Sequence, residues 1–223
     1  MGKASEQPQL HLNLMDIEHQ IKEVLNHYSG LFYNEINNSI EGELFISEDD
    51  SYDVSIHLKS YPRNFPQVFE IGDRIPPKVS RHIYSDTKSC CFTTQAKAQI
   101  LLKSKVSTLY LFIKEIVIPY FQNNSFFEIN GRYKTDEYAH DKIGILEGYR
   151  DILQINNDYL IAKLIAGRIK GIKLRIQDLC YCESGLTMKK CNNSKHYRCY
   201  KDFRKINTEV LLNDITIFME LLK

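Results

Sequence analysis

Apolar residues in the stretch DIEHQIKEVLNHYSGLFY recur at Ile17, Ile21, Val24, Leu25 and Tyr28, the spacing of one helix face. Asp16 is placed to cap the start of this helix and Gly30 to stop it. The pattern then changes period. SIEGELFIS, YDVSIHLK and QVFEIG read as short strands separated by the turn-rich SEDDS and SYPRNFP. Alternation is clearest in YDVSIHL, where Tyr52, Val54, Ile56 and Leu58 share a face. No period survives in GDRIPPKVSRHIYSDTKS, which reads as a long loop. Helical patterns return in KSKVSTLYLFIKEIVIPYFQNN, apolar nearly all round, in DEYAHDKIGILEGYRDIL and in DYLIAKLIAGRIKGIKLRI. A last helix, INTEVLLNDITIFMELLK, follows a cysteine-rich segment. One helix, an antiparallel meander, a loop and then helices is an α+β order, not an alternating βαβ one.

Composition narrows the class. The chain has 223 residues and a formal net charge of +1, so no global field recruits nucleic acid or an anionic membrane. The N-terminal MGKASEQPQLHLNL lacks the apolar core of a secretory signal, and no apolar run is long enough to span a bilayer. A cytoplasmic protein is the expectation. In that setting six cysteines point to catalysis or metal binding rather than disulfides. Cys90 and Cys91 are adjacent at the end of the long loop, whereas Cys180, Cys182, Cys191 and Cys199 crowd the C-terminal part. Two separate jobs are implied.

The first group carries a resemblance. YPRNFPQVF, with Tyr61, Pro62, Pro66 and Val68, resembles the Tyr-Pro-x-x-x-Pro-x-Val stretch of ubiquitin-conjugating enzymes. In that family the meander leads through a long loop and a His-Pro-Asn element to a catalytic cysteine. Here RHIYSDTKSCCF occupies that place and lacks His-Pro-Asn. It is more similar to the bacterial relatives, which read Arg-His-x-x-x-Asp before a cysteine or cysteine pair. Those relatives often carry a later stretch like DEYAHDKIGILEGYRDIL, with Glu137, His140, Gly144, Ile145, Glu147 and Tyr149. The resemblance covers about residues 15–200. It implies a UBC-like fold over residues 1–152, followed by a helical, zinc-binding extension over 153–223.

It also implies a chemistry. The family's cysteine thiolate takes a partner protein's C-terminus as a thioester and passes it to an amine. The family nucleophile precedes an apolar residue, which favours Cys91 before Phe92, while counting eight residues from His82 favours Cys90. Cys91 is the expected nucleophile and Cys90 the reserve. His82 is a candidate oxyanion donor, His140 a candidate base and Asp86 a weaker candidate for assisting the amine. The bacterial relatives act in antiphage operons, CBASS-like or ubiquitin-like. Their partner is a ubiquitin-like protein or the C-terminus of a cGAS-like nucleotidyltransferase, loaded by an activating enzyme. This chain has no Gly-x-x-x-x-Gly-Lys loop or Rossmann glycine fingerprint for the ATP-dependent step.

The second group, CYCESGLTMKKC, has the Cys-x-Cys-x8-Cys spacing of the short zinc motif at the C-terminus of the SecA ATPase. Cys180, Cys182 and Cys191 are three expected ligands. Asn192 stands where the motif usually ends, so Cys199 or His196 must fold back to complete a tetrahedral, structural zinc site. Basic flanks interleaved with tyrosine leave a zinc-dependent nucleic-acid binder as an alternative. The loss of His-Pro-Asn leaves another, a catalytically spent UBC-like adaptor.

Overall fold

The computed structural model describes residues 7–134, 139 and 141–221. They divide into two compact units, Met1–Phe92 with Lys105–Thr135, and Thr93–Ser104 with Asp136–Lys223. The second unit therefore takes in 136–152 and the short 93–104 segment, which the sequence reading had assigned to the conjugating domain. Among the described residues no helix is long and apolar enough to cross a membrane.

The first unit opens on α1 (Gln7–His27), which starts upstream of the Asp16 expected as its cap. Glutamine, leucine and methionine before Asp16 are good helix formers, so the helix runs on through that stretch. Its end is also set differently. Gly30 does not stop the helix but enters β1 (Leu31–Asn34), whose Leu31, Phe32 and Tyr33 stand at the end of the stretch read as helical. A Cβ on Gly30 would lie 2.3 Å from the Glu43 carbonyl oxygen. One on Gly42, at φ +125°, would lie 2.2 Å from the Gly30 oxygen, so the chain passes this closely only without side chains there.

Strands β2 (Ser39–Phe45), β3 (Ser51–His57) and β4 (Gln67–Glu70) complete a four-stranded antiparallel meander in sequence order. Ile40, Ile56 and Val68 pair across it, and all three are buried. Tyr52, Val54, Ile56 and Leu58 are buried together, as alternation predicted. The face they form packs on a continuous helical run, α3 (Leu109–Phe112), a π-helical turn at Ile113–Val117 and α4 (Ile118–Asn130). Tyr52 stacks on Phe121 at 4.5 Å.

Pro119 lies inside this helical run. Proline removes the hydrogen bond to residue 115 and crowds its carbonyl, and the wider π turn lies where that ring must be accommodated. At the other end, Thr108 and Gln20 cap the helix: Thr108 Oγ1 accepts from Leu111 N, and Gln20 Oε1 accepts from Leu109 N at 2.9 Å.

The second unit is helical: α2 (Gln95–Leu102), α5 (Asp141–Leu153), α6 (Asp158–Ile169), α7 (Lys195–Phe203) and α8 (Thr208–Leu221). They share one apolar core centred on Leu153, Ile161, Ile165, Phe203, Leu211 and Phe218. Helix α6 ends at Ile169, short of the basic stretch predicted to continue it. Gly171, at φ +82°, turns the chain, and Ile172 N donates to Gly167 O while Gly171 N donates to Arg168 O. This pair of bonds is the Schellman stop.

Candidate functional site

The long loop is held residue by residue. Glu70 at the end of β4 accepts from Gly72 N and Ile75 N through its two carboxylate oxygens. Arg74 lies 4.0 Å over the Tyr52 ring and bonds to Asp50, Glu128, Ser125 and the Ser51 carbonyl. A short 3-10 turn at Val79–Arg81 then buries Arg81, whose guanidinium donates to Asn124 Oδ1 and covers Phe127 at 4.4 Å. His82 follows at φ +53°. Its carbonyl accepts from Tyr120 Oη at 3.0 Å and from Cys91 N at 2.7 Å. Ile83 bridges Cys90, Tyr84 N donates to Ser89 O, and Cys90 N donates to Val68 O of β4. The segment predicted as a loop is thus a narrow ribbon pinned to the sheet edge.

This ribbon separates the two cysteines. Cys90 is 5% exposed, and burial pushes its thiol up to about 12, against a hydrogen bond from Tyr120 and with the Glu70 charge adding to the rise. Cys91 is half-buried. The Tyr84 phenol is pushed up, first by desolvation and then by the neighbouring Cys91. Phe92 anchors the next position, edge-on to Tyr120 at 5.0 Å and Phe112 at 5.7 Å. An apolar residue after the cysteine therefore fixes the loop end.

The other expected participants are placed differently. The buried His82 ring sits edge-on to Tyr133 at 5.2 Å, and its backbone carbonyl is what holds Cys91. Asp86 is exposed and accepts from Thr87 N at 2.8 Å, a turn contact. His140 lies outside the described residues. Tyr84 and Tyr120 were missed. Tyr84 stood inside the quoted motif, two residues after His82, whereas nothing local marks Tyr120, which reaches the loop from α4.

In the second unit Cys180, Cys182, Cys191 and His196 bring their ligand atoms within 4.8 Å of one another. Cys180 Sγ is 3.2 Å from His196 Nδ1 and 3.3 Å from Cys182 Sγ, and Cys191 Sγ is 3.5 Å from Cys182 Sγ and 3.4 Å from His196 Nδ1. A tetrahedron with ordinary zinc bond lengths has S···S edges of about 3.8 Å and S···N edges of about 3.5 Å. The donor set is therefore the size of one coordination shell and could bind a metal ion, compatible with zinc.

Local backbone builds it. Cys180 N donates to Leu186 O and Leu179 bridges Thr187, which closes a small ribbon over the fully buried Met188. Asn192, Asn193 and Ser194 all have positive φ and turn the chain so that the first turn of α7 delivers His196. Asparagine tolerates that conformation, so Asn192 steers the fourth ligand instead of being one. Burial opposes ionisation of Cys182, but hydrogen bonds from Ser184 and the neighbouring thiols hold it down to about 6, while burial pushes Cys180 up to about 12. Cys199, the rival fourth ligand, is not in the cluster.

No protein-family model, curated protein or solved structure matches the chain.

Proposed function

We propose that this protein is a ubiquitin-conjugating-enzyme-like acyl transferase with Cys91 as its nucleophile. The observation that carries the reading is the contrast between neighbours. Cys91 ends an anchored ribbon, half-buried beside Tyr84, whereas Cys90 is sealed and its thiol held protonated by burial. The order of helix, four-stranded meander, pinned loop, cysteine and helix supports it further.

In the reaction the Cys91 thiolate attacks the carbonyl carbon of a partner's C-terminus, delivered as a thioester by an activating enzyme. The Cys91 S–C bond forms as the carrier's S–C bond breaks, and the carrier sulfur leaves as a thiolate. An amine then attacks the same carbon. The N–C bond forms, the Cys91 S–C bond breaks, and the amine's extra proton passes to the departing sulfur or to water. Tyr84 is the hydroxyl at hand to donate to the oxyanion of each tetrahedral intermediate. His82 serves through its carbonyl, as the fixed point for Cys91 and Tyr120. The partner is a ubiquitin-like protein or the C-terminus of a cGAS-like synthase, in antiphage defence. The metal in the second unit is zinc in a structural role, since four protein ligands leave no open position.

Intact-mass analysis tests this after co-expression with an activating enzyme and a candidate partner of the two classes named. Wild type and Cys90→Ser carry an adduct that dithiothreitol removes. Cys91→Ser carries none, or a thiol-resistant ester. With an active activating enzyme and partner, no adduct on wild type rejects the transferase and leaves an adaptor.

A further inference from the structure

One face of α6 is not fully covered. Leu160, Leu164, Gly167 and Arg168 fall at helical spacing along it and line a cavity of about 490 Å3, within the size range of small-molecule sites. The facing wall is apolar too and includes Ile172 and Leu179. These two residues are 56% and 67% exposed, so the cavity opens to solvent through apolar lips. Gly167 keeps the floor low: a Cβ there would make only ordinary contact with Ile172, 3.8 Å from its Cδ1, whereas a longer side chain would fill the space.

Charge in this cavity is not balanced. Lys163 and Glu183 neutralise each other across the rim at 3.0 Å. Among the described residues Arg168 has no acid opposite it. Its Nη2 reaches the Arg204 carbonyl at 3.5 Å, and its Nε is buried without a hydrogen-bond partner. The Nε is sealed from solvent even with the cavity empty, so what Arg168 offers a ligand is the charge of its guanidinium, for which an anionic group is the complement.

We infer that this cavity is a binding site for a small amphipathic carboxylate, its alkyl or aromatic body on the α6 face and its carboxylate on Arg168. The metal ribbon supplies Leu179, Cys180 and Tyr181 to the wall, so one of the metal donors itself borders the cavity.

Calorimetric titration of the full-length, metal-loaded chain with octanoate, octan-1-ol and octylammonium tests the inference. Octanoate binds saturably, one per chain, and octanol about tenfold more weakly, the expected loss of one charge-assisted hydrogen bond. Octylammonium binds no better than octanol. Arg168→Gln brings octanoate down to the affinity of octanol and leaves octanol unchanged. Gly167→Leu, with metal content and helical circular dichroism retained, abolishes all saturable binding. Absence of saturable octanoate binding to wild type overturns the inference, as does equal affinity for octanoate and octanol. Undiminished binding by folded Gly167→Leu does so too. If octanoate fails to bind and Gly167→Leu instead abolishes a dimer of the wild type, the face is a self-interface.

Discussion

Two adjacent cysteines with the same chemistry differ here because one side chain points into the core and the other does not. Sequence reading identified the pair and, through the following Phe92, favoured Cys91. It had no means of seeing that Cys90 N is bonded to Val68 O and its thiol enclosed, because that contact spans residues far apart in the chain. The difference is testable without any partner. In native protein, iodoacetamide at neutral pH should alkylate Cys91 at least about tenfold faster than Cys90, because a thiol raised to about 12 reacts only when the ribbon opens. Peptide mapping at timed quenches gives both rates. In denaturant the two rates should converge. Equal rates in the native state would show that the ribbon does not seal Cys90. His82 teaches the complementary point. Its sequence neighbourhood suggested an oxyanion donor, yet it is the carbonyl of this residue, held at a positive φ, that organises Tyr120 and Cys91.

At the level of elements, what the sequence disclosed was set by length and regularity. The β2–β4 meander and helices α5 and α8 were visible because periodicity persisted long enough. Strand β1, whose residues close the first helical stretch, and α7, split from its pattern by the cysteines, were not. Pro119 lies inside the helical stretch read from sequence, and the π turn that accommodates it leaves no local signature. Helices α5 and α8 also share a polar contact that no pattern announces: buried Tyr149 donates to Asp214 Oδ2 at 2.8 Å. Burial pushes the Asp214 carboxyl above its ordinary range, and the Tyr149 hydrogen bond only partly offsets this. The folded state therefore holds the Asp214 proton more tightly than the unfolded chain does. Stability from this residue is fully present below the ordinary carboxylate range and is lost as pH rises through the raised folded value. Asp214→Asn should be more stable than wild type at neutral pH, and the gap should close as pH falls to the ordinary carboxylate range. Tyr149→Phe should lose about 1–3 kcal/mol at neutral pH, because it leaves the carboxylate buried without its donor. Paired thermal melts across pH check both, since titration of the metal ligands cancels in the difference from wild type. A gap that widens on acidification would reverse the sign argued here.

On the scale of the whole molecule, the chain is organised around two cores, and the candidate metal donors belong to one of them. Cys180, Cys191 and their neighbours Tyr181 and Met188 lie in the same apolar cluster as Leu153, Phe203 and Phe218. Removing an ion from four such donors leaves three thiols and an imidazole crowded together, so metal release should be coupled to unfolding of that core. The meander has its own buried set, Ile40, Ile56, Val68 and Phe121, with no donor from the cluster. A zinc chelator should therefore abolish amide protection in α6, α7 and α8 while β2 and β3 keep theirs, as hydrogen exchange read by mass spectrometry would report. A unit on the order of 100 residues that loses several kcal/mol of metal binding should melt more than about 10 °C lower. Three variants make the result specific. Cys191→Ser and His196→Ala should lower metal content per chain and reproduce the chelated pattern, whereas Cys199→Ser should bind one equivalent and melt like wild type. The sequence left His196 and Cys199 level because both stand on one helix a turn apart. The left-handed run at Asn192, Asn193 and Ser194 decides between them by bringing the first turn of α7 onto the cluster. Loss of metal in Cys199→Ser with retention in His196→Ala would mean that the chain turns differently there, and that the ribbon over Met188 is closed by the second turn of α7 instead.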